Sequence, residues 1–297
     1  MFDAAYIGVF EKYLTDEKRA SGNTVSSYVS DVSQFANYLS SRGAEGFPEA
    51  ERGDVELYIE GLYKSGRSAA TVSRMLAALK CFYSRMVKDG LLTASPLRDI
   101  PSVRIVKKLP QILTGQEIAL LLEQPRVSET KGCRDKAMLE LMYATGIRVS
   151  ELISLNMDDV NLAVGVVSCR GQGKERVIPL YPEAVKVVGD YIGTARKRLL
   201  ATPGERALFV NMGGERMSRQ GFWKLLKHYK NTARIEKDIT PHTLRHSFAA
   251  HLLENGADIR VLQEMMGHAD ISSTQMYTQL VNKAVKDVYN KAHPKAI

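Results

Sequence analysis

Apolar residues recur at three- and four-residue intervals in the first third of the chain, at Val25, Tyr28, Val32, Phe35 and Leu39 and again at Val72, Leu76, Leu79, Phe82 and Met86. That spacing predicts amphipathic helices, about four or five over the region. Further on, Thr114 with Glu117 resembles a capping box that opens a helix running through Ile118 to Leu122. The pattern then changes. Val164 to Arg170 and Glu175 to Leu180 are rich in β-branched residues around a Gly turn and predict a hairpin, and Ala207 to Val210 predict a short strand before Gly213-Gly214. Helical signals return at Thr240, an N-cap, with Pro241 as the first helical residue and Asn255-Gly256 as the end. Asp258 caps a second helix through Ile259, Val261, Leu262 and Met265, stopped by Gly267. Ser272 or Ser273 starts another short helix carrying Tyr277. Leu280, Ala284 and Val288, with Val281 and Val285, give an amphipathic tail helix before Pro294, whose apolar stripe would either fold back on its own core or dock elsewhere.

The chain has 297 residues, enough for two domains with cores of their own, and 44% of them are hydrophobic, as in a globular protein. Pro96, Pro101 and Pro110 restrict helix formation, and Arg104, Lys107 and Lys108 between them suit a solvated linker. The expected division is a helical domain over residues 1–98, a linker over 99–112 and a second domain over 113–297 that is mainly helical with a small β-sheet. No run approaches the roughly 20 apolar residues of a membrane span, and charges at Asp3, Glu11 and Lys12 break any signal-peptide pattern. Cys81, Cys133 and Cys169 lack C-x-x-C spacing and read as reduced thiols of a cytoplasmic protein.

Charge is unevenly spread. Residues 1–100 hold 12 Lys+Arg against 13 Asp+Glu, net −1, and the other 197 hold 29 against 20, net +9, so the basic excess in the chain's total of +8 belongs to the second domain. A basic domain attracts polyanions with salt-sensitive affinity, although many basic proteins never touch nucleic acid. On the helix through Met86, Arg74, Arg85 and Lys88 fall within about 60° of one another. That face is either simply solvated or suited to a phosphate backbone.

The chemistry concentrates near the end of the chain. His242 and Arg245, three apart, share a helix face in the first turns, where free N–H groups and the helix dipole favour an anion such as phosphate. His268 falls just past a helix end, and Tyr277 follows nine residues later. Upstream, Arg148 directly follows a helix closed by Gly146, and Lys174 stands beside the Gly-rich turn of the hairpin. Taken singly, such residues are usually surface or structural. His242 and His246 have i, i+4 spacing, but the Glu and third ligand of a zinc hydrolase helix are missing, and no carboxylate cluster suits a two-metal nuclease. We expect no metal and no cofactor, with His246 and His251 as packing or supporting residues.

In order along the chain, Arg148, Lys174, His242-x-x-Arg245, His268 and Tyr277 resemble the pattern of the tyrosine recombinases, or phage-integrase family. ATGIRVSEL, PHTLRHSFAAHLLENGADI, MGHADISSTQMYTQL and the terminal HPKA are similar almost word for word to the bacterial Xer recombinases in particular. The resemblance covers nearly the whole chain. One turn departs from it: Gly171-Gln172-Gly173-Lys174-Glu175-Arg176 is one residue shorter from the first Gly to the Lys than the G-K-G-x-K-x-R usual in Xer proteins. The resemblance implies a two-domain DNA clamp, with a helical, SAM-like core-binding domain and a tyrosine-recombinase catalytic domain, and a tail helix that docks on a neighbouring protomer.

The implied reaction is cleavage and rejoining of double-stranded DNA through a 3′-phosphotyrosyl intermediate and a Holliday junction, without metal or ATP. Arg148 and Arg245 would meet charge on the non-bridging phosphate oxygens with planar forks, and His268 would add a hydrogen bond. Tyr277 would be the nucleophile; at an ordinary pKa of about 10, roughly one phenol in a thousand is ionised near neutrality. It therefore needs help, which His242 would give as general base. Lys174 would protonate the leaving 5′ oxygen, as the resemblance implies. Resolution of chromosome or plasmid dimers is the expected role, by a homo- or hetero-tetramer on two DNA sites. A second Xer recombinase and a division-associated DNA translocase are implied as partners. A compact integrase of a mobile element fits the same residues, the lack of an extra N-terminal arm-binding domain weighing against a large phage integrase. A non-catalytic DNA-binding relative and a type IB topoisomerase are the other readings.

Overall fold

The computed structural model describes residues 2–103, 110–171, 174–202 and 204–267. The chain divides into two compact units, Met1–Lys107 and Lys108–Ile297.

The first unit is helical: α1 (Phe2–Lys12), continued by a π-helical turn over Tyr13–Glu17, α2 (Gly22–Ser41), α3 (Arg52–Lys64) and α4 (Ala69–Lys88). Ser21 and Ser68 cap α2 and α4, each accepting from the amide three residues on. The apolar stripes point inward as their spacing requires, since Val32, Phe35, Leu39, Val72, Leu79, Phe82 and Met86 are all fully buried with Phe10, Leu14 and Phe47. Aromatic rings fill the centre, Phe82 lying 5.4 Å from Phe10 and 4.4 Å from Phe47 between centroids. Two of the cations expected on the outer face of α4 are engaged within the unit. Arg74 reaches the buried Asp31 carboxylate at 2.6 Å, and Arg85 pairs with Glu17 and with Asp89. Lys88 is exposed.

The second unit is mainly helical around a small sheet. In chain order come α5 (Gly115–Glu123), α6 (Thr130–Thr145), α7 (Val149–Ser154), β1 (Val160–Asn161), β2 (Val166–Gly171), β3 (Lys174–Pro179), α8 (Pro182–Asp190), a π-helical turn at Tyr191–Ala195 leading to α9 (Arg196–Leu199), α10 (Arg219–Thr232), α11 (Pro241–Glu254) and α12 (Ile259–Met266). The sheet is antiparallel in the order β1-β2-β3, with Val167 opposite Ile178 and Gly171 opposite Lys174. Its inward residues Val167, Cys169 and Ile178 join a core made by α6, α8 and α10.

Helix α6 is buried on nearly every side, and its polar residues are paired accordingly. Arg134 and Asp135 bond each other at 2.7 and 2.9 Å, while Tyr229 donates to Asp135 at 2.9 Å and Arg134 to the Val210 carbonyl at 3.2 Å. Buried polar groups are retained only with such partners.

Residues 207–210 do not form the expected strand. Only isolated bridges, Asn156 with Ala207 and Val210 with Arg216, are present there. The reason is that side chains take the backbone groups a neighbouring strand would use. The buried Arg196 guanidinium donates to the Glu205, Ala207 and Leu208 carbonyls, and the Tyr191 hydroxyl donates to Leu208 O and accepts from Val210 N.

Candidate active site

Helix α6 ends at Gly146, whose left-handed φ of 58° turns the chain sharply. A Cβ there would lie 2.2 Å from Phe248 Cδ1, so glycine also permits α11 to pack close against α6. Ile147 is buried, and Arg148 emerges as the N-cap residue of α7, its amide donating to Glu151 Oε2 at 2.8 Å. The Arg148 side chain is 31% exposed. Its guanidinium donates to Glu151 Oε1 at 3.3 Å and to the Gly267 carbonyl at 3.2 Å.

Helix α11 begins as its sequence dictates. Thr240 accepts from the Thr243 amide at 3.1 Å, and Pro241 occupies the first turn. His242 is exposed in that turn, whereas Arg245 is buried at 4% exposure. Arg245 donates to the carbonyl of Gly146, at the end of α6, and to that of Met266, at the end of α12, the latter at 2.6 Å. Both are helix C-termini, where unpaired carbonyls and the negative end of the dipole favour a cation. Helix α12 is capped by Asp258 and ended by Gly267 at φ 60°, and Phe248, Ala249, Leu262 and Met266 hold it to α11.

Although His242 keeps contact with solvent, the partial burial of its ring, then the charges of Arg245 and Arg148, lower its pKa below the ordinary 6.5. Its imidazole is therefore neutral near pH 7 and able to accept a proton. On the next turn, burial, His242 and Arg245 push His246 down to about 4, and the two rings lie 6.3 Å apart. His251 instead shares a hydrogen bond of 2.9 Å with the Tyr143 hydroxyl.

Three of the six expected site residues, Arg148, His242 and Arg245, thus converge from two elements at the N-terminus of α11. Two permanent cations and an imidazole of lowered pKa at the first turns of a helix give an arrangement able to bind an anion. Lys174 begins β3, with its side chain outside the described residues. His268 and Tyr277, the tail helix and the linker cations Arg104, Lys107 and Lys108 also lie outside them. Among the described residues no group of three or more His, Cys, Asp or Glu can hold a metal ion, and no helix is long and apolar enough to cross a membrane.

Residues 111–283 match the Phage integrase family, and residues 7–90 match its N-terminal SAM-like domain. The chain belongs to the phage integrase family. Its relatives include "Tyrosine recombinase XerD" of Oceanobacillus iheyensis, 44% identical with 97% of each chain covered, and that of Listeria innocua, 42% identical with 97% of this chain and 98% of the relative covered. Among solved structures it is similar to XerA recombinase, at 29% identity and a TM-score of 0.55, with 98% of this chain and 99% of that one covered. It shares the fold of XerH bound to a palindromic difH substrate, at 22% identity and a TM-score of 0.76 over 96% of this chain and 84% of the other.

Two side chains given no role from the sequence sit inside the cluster. Glu151 is 5% exposed and accepts from both Arg148 and Arg176. Burial pushes its carboxyl up, but the bonds from Arg176 and the Arg148 amide, with both guanidinium charges, outweigh that and leave its pKa below the usual 4.5. A signal for Glu151 was present in its place three residues after Arg148, where an acidic side chain reaches back to the N-cap amide. In the sequence Arg176 figured only as the last residue of the hairpin turn, and its contacts left no local signal because its partners are 25 and 89 residues away.

Proposed function

We propose that this chain is a Xer-type site-specific recombinase that cuts and rejoins double-stranded DNA through a 3′-phosphotyrosyl intermediate and a Holliday junction, and that it serves to resolve chromosome or plasmid dimers. The observation that carries the reading is the meeting of Arg148, Arg245 and a neutral His242 at the N-terminus of α11, in a chain 44% identical to a XerD recombinase over 97% of its length. Arg148 and Arg245 bind the scissile phosphate and stabilise the charge that grows on its non-bridging oxygens, each well-placed donor lowering the barrier by about 3–4 kcal/mol. His242 takes the Tyr277 proton, Tyr277 attacks phosphorus, His268 adds a phosphate hydrogen bond, and Lys174 protonates the departing 5′ oxygen. The ester keeps the bond energy, so a 5′-hydroxyl from another strand reverses the step with neither ATP nor metal.

Residues 1–98 serve as the core-binding domain, 99–112 as linker and 113–297 as the catalytic domain, whose tail helix docks on the next protomer of a tetramer assembled on two sites. A second Xer recombinase and a division-associated translocase are the proposed partners in the cytoplasm. The test is a duplex carrying a candidate dimer-resolution site, nicked beside the cut so that cleavage is trapped. Wild type should give a covalent adduct on a denaturing gel in the presence of EDTA and without ATP. Tyr277→Phe should bind the same duplex in a gel shift and give none. An adduct that persists in Tyr277→Phe refutes the assignment of the nucleophile, and binding by wild type without an adduct, even with a partner recombinase added, refutes autonomous catalysis.

A further inference from the structure

Three successive carbonyls at the end of α12 are each taken by an arginine from a different element: Met265 O by Arg176 of β3 at 2.7 Å, Met266 O by Arg245 of α11, and Gly267 O by Arg148 at the start of α7. Arg176 does more than close this end. Its Nη1 and Nη2 donate to the two Glu151 oxygens at 3.0 and 2.9 Å, a fork-to-fork geometry that a lysine cannot reproduce. Glu151 Oε1 is thereby shared between Arg176 Nη1 and Arg148 Nη1. The surrounding backbone is shaped for this pair. A Cβ on Gly171 would lie 2.5 Å from Glu151 Oε1, and one on Gly267 would lie 3.0 to 3.2 Å from the Arg176 guanidinium.

The charges decide what the arrangement achieves. One carboxylate faces two guanidinium groups, so one positive charge is left over. The Arg176 side chain is 9% exposed and both its terminal nitrogens face Glu151, whereas Arg148 is 31% exposed. The uncompensated charge therefore rests on Arg148, at the anion site. Without Arg176, the buried Glu151 would pair with Arg148 alone, three residues away on the same turn, and would draw its fork off the phosphate.

We infer that Arg176 is a positioning residue for strand cleavage, which occupies Glu151 so that Arg148 is both oriented and left with charge to offer the phosphate, while fixing the end of α12 from which the chain continues to His268. The inference rests on the proposed recombinase reading for its chemistry, but its geometry can be tested apart from it.

The experiment compares wild type, Arg176→Lys and Arg176→Met in single-turnover adduct formation on nicked duplexes whose scissile group is either a phosphate or a methylphosphonate, which lacks the charged non-bridging oxygen. Misplacing a group by about 1 Å costs on the order of 100-fold in rate. A loss of that order is expected for Arg176→Met on the phosphate, with a smaller loss for Arg176→Lys, and both should shrink to within a few-fold on the methylphosphonate. Equal losses on the two substrates would overturn the inference in favour of a merely structural arginine, and so would no loss at all. In parallel, exchange of the Arg148 guanidinium N–H protons is followed by nitrogen-15 NMR in the free protein, with the signal assigned from Arg148→Lys. It should be slow in wild type and fast in Arg176→Met; unchanged exchange would refute the positioning role. If wild type cuts no DNA offered, the recombinase reading fails, and the exchange measurement still decides what Arg176 does.

Discussion

At the scale of single residues, titration separates the parts of the site. His246 has an ordinary pKa of 6.5 when unfolded and about 4 in the fold, so between those values the unfolded chain takes up a proton that the folded one refuses. Its contribution to stability is present above pH 6.5 and is lost as pH falls towards 4. The expected result is that the urea midpoint of wild type drops between pH 7 and 4.5 more steeply than that of His246→Gln. Glu151 acts in a lower window, because its folded pKa lies below 4.5; the stability it contributes is present above that value and lost on further acidification. The midpoints of wild type and Glu151→Gln should therefore converge below about pH 4.5 and stand apart at pH 7. His242, also lowered, should keep the rate of adduct formation constant from neutral pH to somewhat below 6.5, with an acid limb that His242→Gln lacks. Each of these histidines was visible in the sequence as a residue. Its protonation state was not, because desolvation, and for His242 the nearness of Arg148, arise only when α11 packs into the fold.

Among the elements, caps were the most legible feature. Thr114, Thr240 and Asp258 each bond an amide two or three residues ahead, and Gly146 and Gly267 end their helices in the left-handed conformation. These are local interactions, encoded within a turn of chain. Gly146→Ala should cost about 2–4 kcal/mol in denaturant unfolding, about half from forcing a left-handed φ on alanine and the rest from crowding against Phe248. A loss below about 1 kcal/mol would mean that α11 can move aside. Thr240→Ala removes one cap bond and should cost about 1 kcal/mol by the same measurement. The hairpin was legible from its β-branched run and Gly turn, whereas β1 spans two residues and leaves no periodic trace. Residues 207–210 carry a strand-like pattern and are not a strand, since Arg196, Tyr191 and Arg134 reach their backbone from elsewhere.

On the scale of the whole molecule, among the described residues, the first unit has its own hydrophobic core from Phe10 to Ile100, and the second has a large one from Leu113 to Leu244 and a small one of Phe248, Ala249, Leu262 and Met266. Fragments 1–103 and 110–297 should each unfold cooperatively when expressed alone, as followed by circular dichroism; a fragment lacking a transition would show that its core depends on the other. The basic excess lies in the second unit, and in the first Arg74 and Arg85 are already paired with Asp31, Glu17 and Asp89. The pairs with Asp31 and Glu17 were hidden from the spacing along α4, because Asp31 lies on α2 and Glu17 on the turn after α1. By itself the sequence determined the helical class, the placing of the caps and hairpin, the uneven charge and the identity of the residues that resemble a recombinase site, all of which depend on local spacing or on motif order. Only the tertiary structure decided that Arg148 and Arg245 grip the ends of α6 and α12, that the His242 pKa is lowered, and that Glu151 and Arg176 stand behind them. Those facts depend on carbonyls, charges and burial contributed by segments far apart in the chain, which no local pattern specifies.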